Sequence, residues 1–144
     1  ARAGSLKTPP LESWARLLGD DRYLFVSLQY SASGEETSTL SNFSEGRFVF
    51  DELIDTTNDL DQSAAQVAAM DATISISNST AHMAGALGVP VATIVPSGYG
   101  GFWYWLRERR DSPWYPSMRI CRQNTPGDWT HAIQEAIDWL EPLN

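Results

Sequence analysis

Residues 72–96, ATISISNSTAHMAGALGVPVATIVP, constrain the fold more than any other stretch of this chain, because the hydrophobic period changes twice within them. Ile74 and Ile76 alternate with Ser75 and Ser77 as in a strand, and the alternation stops at Asn78. A small-residue helix then runs to Gly88, where Val89-Pro90 ends it before the β-branched VATIV. This predicts a β-α-β unit in which Ser77, Asn78, Ser79, Thr80 and His82 lie at the carboxyl end of a strand and the amino end of a helix. Ligands of parallel sheets bind at that edge, where unpaired amides and the helix dipole favour an anion such as a phosphate. With Asn78 as N-cap, the Ser79 and Thr80 amides are orphan donors and their hydroxyls add adjustable hydrogen bonds. His82 shares the face of Asn78, where the dipole favours a neutral imidazole able to donate one N–H to a phosphate oxygen; the same residues would also serve as an ordinary cap and a loop tie. Gly85 and Gly88 fall inside and at the end of the helix, so they read as a site of close helix-to-sheet approach and a left-handed cap, not as a phosphate loop.

The rest of the chain supports one α/β domain over residues 1–144, Rossmann-like, with a mainly parallel sheet between helical layers. Pro9-Pro10 open a predicted helix through LESWARLL, closed by Gly19-Asp20-Asp21. RYLFVSLQY reads as a strand covered on both faces, residues 31–46 as a loop or weak helix around Glu35 to Leu40, and RFVF as a short strand. Asp59 and Gln62 resemble a capping box before a helix through Met70. Later come the SGYGG turn, an aromatic segment FWYWLRERR of unassigned type, a strand MRICRQ, and a final helix announced by Thr125-Pro126-Gly127-Asp128. Tyr99, Phe102, Trp103 and Trp105 could stack a nucleobase, cover the site, or form a core or an interface.

Charge and cysteine usage narrow the function. Ten Lys and Arg against eighteen Asp and Glu, for a net charge of −8, argue against nucleic acid or an anionic membrane as partner. Arg107, Arg109 and Arg110, interleaved with Glu108 and Asp111, read as a solvated cluster. The single Cys121 excludes an internal disulfide and a thiolate zinc site, and reads as a buried small hydrophobe. Asp55, Asp59 and Asp61 read as helix-start residues before they read as a metal site, so no metal is expected. No apolar run approaches the length of a membrane span and no leader opens the chain, which points to a cytoplasmic protein. The opening ARAGSLKTPP lacks an initiating Met and has mid-loop chemistry, so a piece of a longer chain, with a strand preceding it, is expected.

Four stretches together carry a resemblance: AAQVAAMDATISI, SNSTAHMAGALGVPV, DSPWYPSMR and the closing RQ-x-x-PGDW. In that order they resemble the carboxyl-terminal half of GT-B-type glycosyltransferases, nearest to bacterial heptosyltransferase-like proteins associated with tetratricopeptide repeats. The resemblance implies a nucleotide-sugar donor-binding domain of a transferase, with the diphosphate at the loop after the first strand and at the strand-to-helix turn. Carried over by position, it implies donor contacts from Lys7, Asn78, Ser79, Thr80 and His82, a ribose-binding acid near Glu35 or Glu36, and no metal or other cofactor beyond the donor substrate. Ser77 departs from the pattern, in which Asp is frequent. The acceptor's base would come from a missing amino-terminal half, which is the expected partner. The competing expectations are a non-catalytic glycosyltransferase-like binding or scaffolding module, and self-association through Trp103 and Trp105.

Overall fold

The computed structural model describes residues 7–30, 32–98 and 101–143. Its contacts divide into two compact units, one formed by Pro10–Gln66 and the other by the described residues of Ala1–Pro9 and Val67–Asn144. Both are built on parallel strands, and the fold is a mixed α/β, Rossmann-like one.

In the first unit a 3-10 turn, Leu11–Trp14, leads into a short helix α1, Ala15–Leu18. The helix predicted over LESWARLL is therefore α-helical only in its second half. Pro10 at the N-cap position has no side chain to accept from the first amides, and Ser13 bonds Pro10 instead, which tightens the first turn. Strand β1 is only Phe25–Val26 and pairs with β2, Phe48–Val49. The expectation that β1 is covered on both faces does not hold: Leu24 is exposed, and no residue of the pair itself is fully buried.

Residues 34–43, read from the sequence as a loop or weak helix, form a ten-residue helix α2, Gly34–Phe43. Its start is a capping box: Ser33 accepts from the Glu36 amide at 3.1 Å, and the Glu36 carboxylate accepts from the Ser33 amide at 2.9 Å. Helix α3, Leu60–Ala68, begins with the Asp59 carboxylate accepting from the Gln62 amide at 3.0 Å. Here the box expected from the sequence is incomplete. The Asp59 amide already bonds the Asp55 carbonyl, so the Gln62 side chain turns to accept from the Asp55 amide at 3.3 Å.

The second unit carries the β-α-β unit as the sequence predicts it. Strand β3, Thr73–Ile76, pairs in parallel with β4, Val91–Val95, which pairs in parallel with β5, Met118–Arg122. Thr73 lies opposite Val91, and Val91 opposite Met118, so the three strands keep one register to their carboxyl ends. Helix α4, Ser79–Ala86, packs on β3 and β4, and helix α5, Thr130–Leu140, packs on β4 and β5. All five residues of β4 are buried, which requires cover on both faces because side chains alternate along a strand. The face carrying Ser77 and Arg122 meets the aromatic segment, a 3-10 turn at Trp103–Trp105, whereas the Arg119 face meets Glu135 of α5.

Gly88 ends α4 in a Schellman arrangement, with φ of 75°, the Val89 amide on the Ala84 carbonyl at 3.0 Å and the Gly88 amide on Gly85 at 3.2 Å. Gly85 has a different role from the one its composition suggests. A Cβ built there would lie 2.5 Å from Cγ of Tyr115, so the glycine makes room for an aromatic ring, not for a closer sheet. Among the described residues, no helix is long and apolar enough to cross a membrane.

Candidate functional site

The turn from β3 into α4 is fixed by the Asn78 side chain, whose Oδ1 accepts from the Ala81 amide at 3.1 Å and from the Ser75 hydroxyl at 2.9 Å. His82 bonds back to the Asn78 carbonyl. Among the described residues, nothing accepts from the amides of Ser79 and Thr80, which are the first two of the helix. The carboxyl edge of the sheet thus ends in two unspent donors flanked by two hydroxyls, with Ser79 exposed.

His82 sits one turn into the helix and is enclosed by rings. It stacks on Trp105 at 4.9 Å between centroids, meets Tyr104 edge-on at 5.3 Å and Tyr115 at 5.7 Å, and its Nδ1 lies 3.0 Å from the Tyr115 hydroxyl. Burial pushes the imidazole below its ordinary value, so it is neutral at physiological pH. A neutral imidazole carries one N–H: on Nε2 where the Tyr115 hydroxyl donates to Nδ1, on Nδ1 where the imidazole donates to that hydroxyl. The sequence points to the helix dipole as the source of neutrality; in the structure the cause is burial within the aromatic enclosure. Burial also raises the Tyr104 phenol, a shift that its approach to Ser77 opposes.

The aromatic segment divides into two parts with different roles. Trp105 is 1% exposed, its indole donates to the Ser77 hydroxyl at 2.7 Å, and Arg122 donates to the carbonyls of Trp105 and Leu106 at 3.0 and 2.8 Å. That clamp holds Leu106 at a φ of 45°, which a branched side chain rarely adopts. Trp103 is 77% and Trp114 55% exposed, and the Trp114 indole donates to the Tyr104 carbonyl at 3.2 Å. Sequence reasoning considered a core and a cover as alternatives, and the segment supplies a buried anchor and an exposed rim.

Lys7 joins the same layer. Its Nζ lies 4.6 Å above the Phe102 ring, Phe102 stacks on Tyr104 at 5.1 Å, and Tyr104 touches His82. A ladder of rings therefore connects Lys7 and His82, the two groups that the resemblance implies at the phosphate, and Asn78, Ser79 and Thr80 lie on the turn beside His82. Three contributors were missed: Tyr115, which orients His82, and the pair Ser97 and Gln123 at the ends of β4 and β5. The Ser97 amide donates to Oε1 of Gln123 at 3.1 Å.

Glu35 and Glu36, implied by the resemblance as ribose ligands, are exposed in the first turn of α2, where Glu36 is occupied by its capping box. Asp55 and Asp59 accept from main-chain amides, so the acidic cluster is a set of turn and helix caps. Asp55 also lines a groove of about 490 Å³ in the first unit, at the carboxyl ends of β1 and β2, with Ser27, Gln29, Asp51, Glu52 and Gln66. That groove is lined by three carboxylates and no Lys or Arg, which disfavours a diphosphate. The edge beside α4 presents main-chain amides and hydroxyls in place of carboxylates.

No protein-family model matches the chain, and no solved structure matches it. Protein FlbA of Caulobacter vibrioides is 34% identical over 121 residues, which cover 83% of this chain and 20% of FlbA. The chain thus spans about a fifth of the length of the curated relative it matches.

Proposed function

We propose that this chain binds the diphosphate of a nucleotide sugar at the carboxyl edge of β3-β4-β5, as the donor-binding part of a GT-B-type glycosyltransferase. The observation that carries the reading is the pair of unspent amides on Ser79 and Thr80, set beside a neutral His82 and the Lys7 ladder. Donors fixed in this way stabilise the charge that develops on a departing diphosphate, and they need no reorganisation when it forms. His82 contributes one neutral N–H, and Lys7 contributes charge. The base for the acceptor hydroxyl comes from a companion half, so this chain alone binds donor without turning it over. The second reading, a binding or scaffolding module that keeps the fold without catalysis, is favoured by Ser77, which is committed to the Trp105 indole where the resembled family often has an acid.

Calorimetric titration with ADP, UDP and GDP tests the site. Ser79→Pro is the informative variant, because proline is tolerated at the first helical position and removes only the amide in question. Asn78 is already extended, at φ −149° and ψ −175°, as the residue before a proline must be. One nucleotide should bind, and Ser79→Pro should weaken it by about tenfold or more, the value of a hydrogen bond to a charged group. Ser79→Ala, which keeps the amide, should change it far less. Failure of all three nucleotides to bind the folded chain, or equal affinity in Ser79→Pro, refutes the proposal. Glycosyl transfer by the longer parent protein would separate the enzyme from the module.

A further inference from the structure

Gln123 follows β5 directly, is 3% exposed, and holds its amide in one orientation. The Ser97 amide can only donate, so the atom 3.1 Å from it is the carbonyl Oε1, and Nε2 is the donor left over. Among the described residues that buried Nε2 has no acceptor, and the buried Ser97 hydroxyl has no partner either. Two such groups in one place are costly to leave unpaired, and native structures pair them with water or ligand.

Their position identifies the edge they serve. The Ser77 amide bonds Ile94 and the Gln123 amide bonds Val95, so Asn78, Ser97 and Gln123 all follow the last paired residues of three adjacent in-register strands. Two inter-strand spacings separate the α4 end from the β5 end, roughly 10 Å. That is the reach of a diphosphate with its attached sugar. The groups also differ in chemistry along the edge. The α4 end offers main-chain amides, which suit an anion. The far end offers a neutral NH₂ donor and a hydroxyl that both donates and accepts, which suit sugar hydroxyls, themselves donors and acceptors, better than a phosphate.

We infer that Ser97 and Gln123 form the glycosyl subsite of this edge, hydrogen-bonding hydroxyls of the sugar while the helix end holds the diphosphate; the inference rests on the proposed reading of that edge as a sugar-nucleotide site. The experiment compares each nucleoside diphosphate with its sugar conjugate, using ADP-glucose, UDP-glucose and GDP-mannose, on the whole chain and on Ser97→Ala and Gln123→Leu. In the parent chain one conjugate binds about threefold to tenfold more tightly than its diphosphate, the value of one neutral hydrogen bond. Both variants lose that gain and leave the affinity for the bare diphosphate unchanged. Ser97→Ala deletes a hydroxyl with no partner among the described residues, so its thermal midpoint stays at the parent value and it carries the test even where Gln123→Leu fails to fold.

A sugar gain that survives in Ser97→Ala, or no gain from any of the three sugars, overturns the inference while leaving the diphosphate site standing. Equal weakening of diphosphate and conjugate also overturns it, because it moves the two groups to the phosphate. Absence of all nucleotide binding overturns both readings together.

Discussion

Gly85→Ala gives a sharp test of the packing argument, because two effects of known size oppose each other. Helix propensity alone predicts a gain of about 1 kcal/mol when a helical glycine becomes alanine. The new Cβ, however, would lie 2.5 Å from Cγ, 2.9 Å from Cβ and 2.9 Å from Cδ2 of Tyr115. Those are the root of the side chain and the near edge of its ring, close to the backbone, so the ring cannot yield by rotating a flexible end. Overpacking of this kind costs about 1–3 kcal/mol. Displacing the ring also breaks the 3.0 Å contact between the Tyr115 hydroxyl and His82, worth about 0.5–1.5 kcal/mol. The sum leaves Gly85→Ala destabilised by about 0.5–3.5 kcal/mol, a drop of up to several degrees in melting temperature for a chain of this size. Urea unfolding followed by tryptophan fluorescence measures it, in a double-mutant cycle with Tyr115→Ala. In the Tyr115→Ala background the contacts with Cγ and Cδ2 are gone and only the 2.9 Å contact with Cβ remains, so Gly85→Ala should cost clearly less there than in the parent. A stabilised Gly85→Ala in the parent background would refute the reasoning, since propensity would then outweigh the ring.

Ser77→Ala leaves the indole donor of the nearly fully buried Trp105 without its 2.7 Å acceptor, and should cost about 1–3 kcal/mol in chemical unfolding. His82 has its pKa lowered in the folded state, so below about pH 6.5 the unfolded chain takes up a proton that the folded chain refuses. Stability should therefore fall as pH drops from 7 towards 5, and His82→Phe, which keeps the ring stack, should remove that part of the fall in unfolding measured across pH. An NMR titration of the imidazole should place its midpoint below the ordinary histidine value. Burial pushes the Cys121 thiol up to about 12, so in the native chain it should resist a thiol-specific reagent at pH 8 and react at the unfolding-limited rate in denaturant.

The parts of the fold that sequence reading reached are those whose signals are local. Alternation over residues 73–76, an Asn at the cap and a Gly-Val-Pro stop lie within one turn of the elements they define, and β3, α4 and β4 follow them closely. Helix α2 carried an equally local signal in Ser33-Gly-Glu-Glu36, but only Leu40 of that helix is fully buried, so no apolar stripe drew attention to the box. The strand read over RYLFVSLQY shrank to Phe25–Val26 because hydrophobicity marks a capacity for pairing, and β2 offers a partner to only two residues. The candidate site was half legible for the same reason. Asn78, Ser79 and Thr80 lie on one turn and could be read together. Tyr115 reaches His82 across 33 residues, and Ser97 reaches Gln123 across 26, so neither partnership leaves a periodic trace.

Ser77 joins these local and distant features, and it explains why an aromatic segment lies beside a polar turn at all. A residue at the end of β3, on the Arg122 face of the sheet, needs a hydrogen-bond partner when covered, and an indole is a donor only. The 2.7 Å bond from Trp105 satisfies both groups, and Arg122 on the same face fixes the carbonyls that follow. Trp105 anchored in this way stacks on His82, which leaves the imidazole's freedom limited and its Nδ1 within reach of Tyr115. A carboxylate at this position would bring negative charge to the edge at which an anion is proposed to bind. A neutral hydroxyl fixes the aromatic anchor without that repulsion, so the departure from the resembled pattern at Ser77 is compatible with the proposed anion site at the neighbouring amides, and on that proposal binding depends on the ring cluster as much as on the helix end.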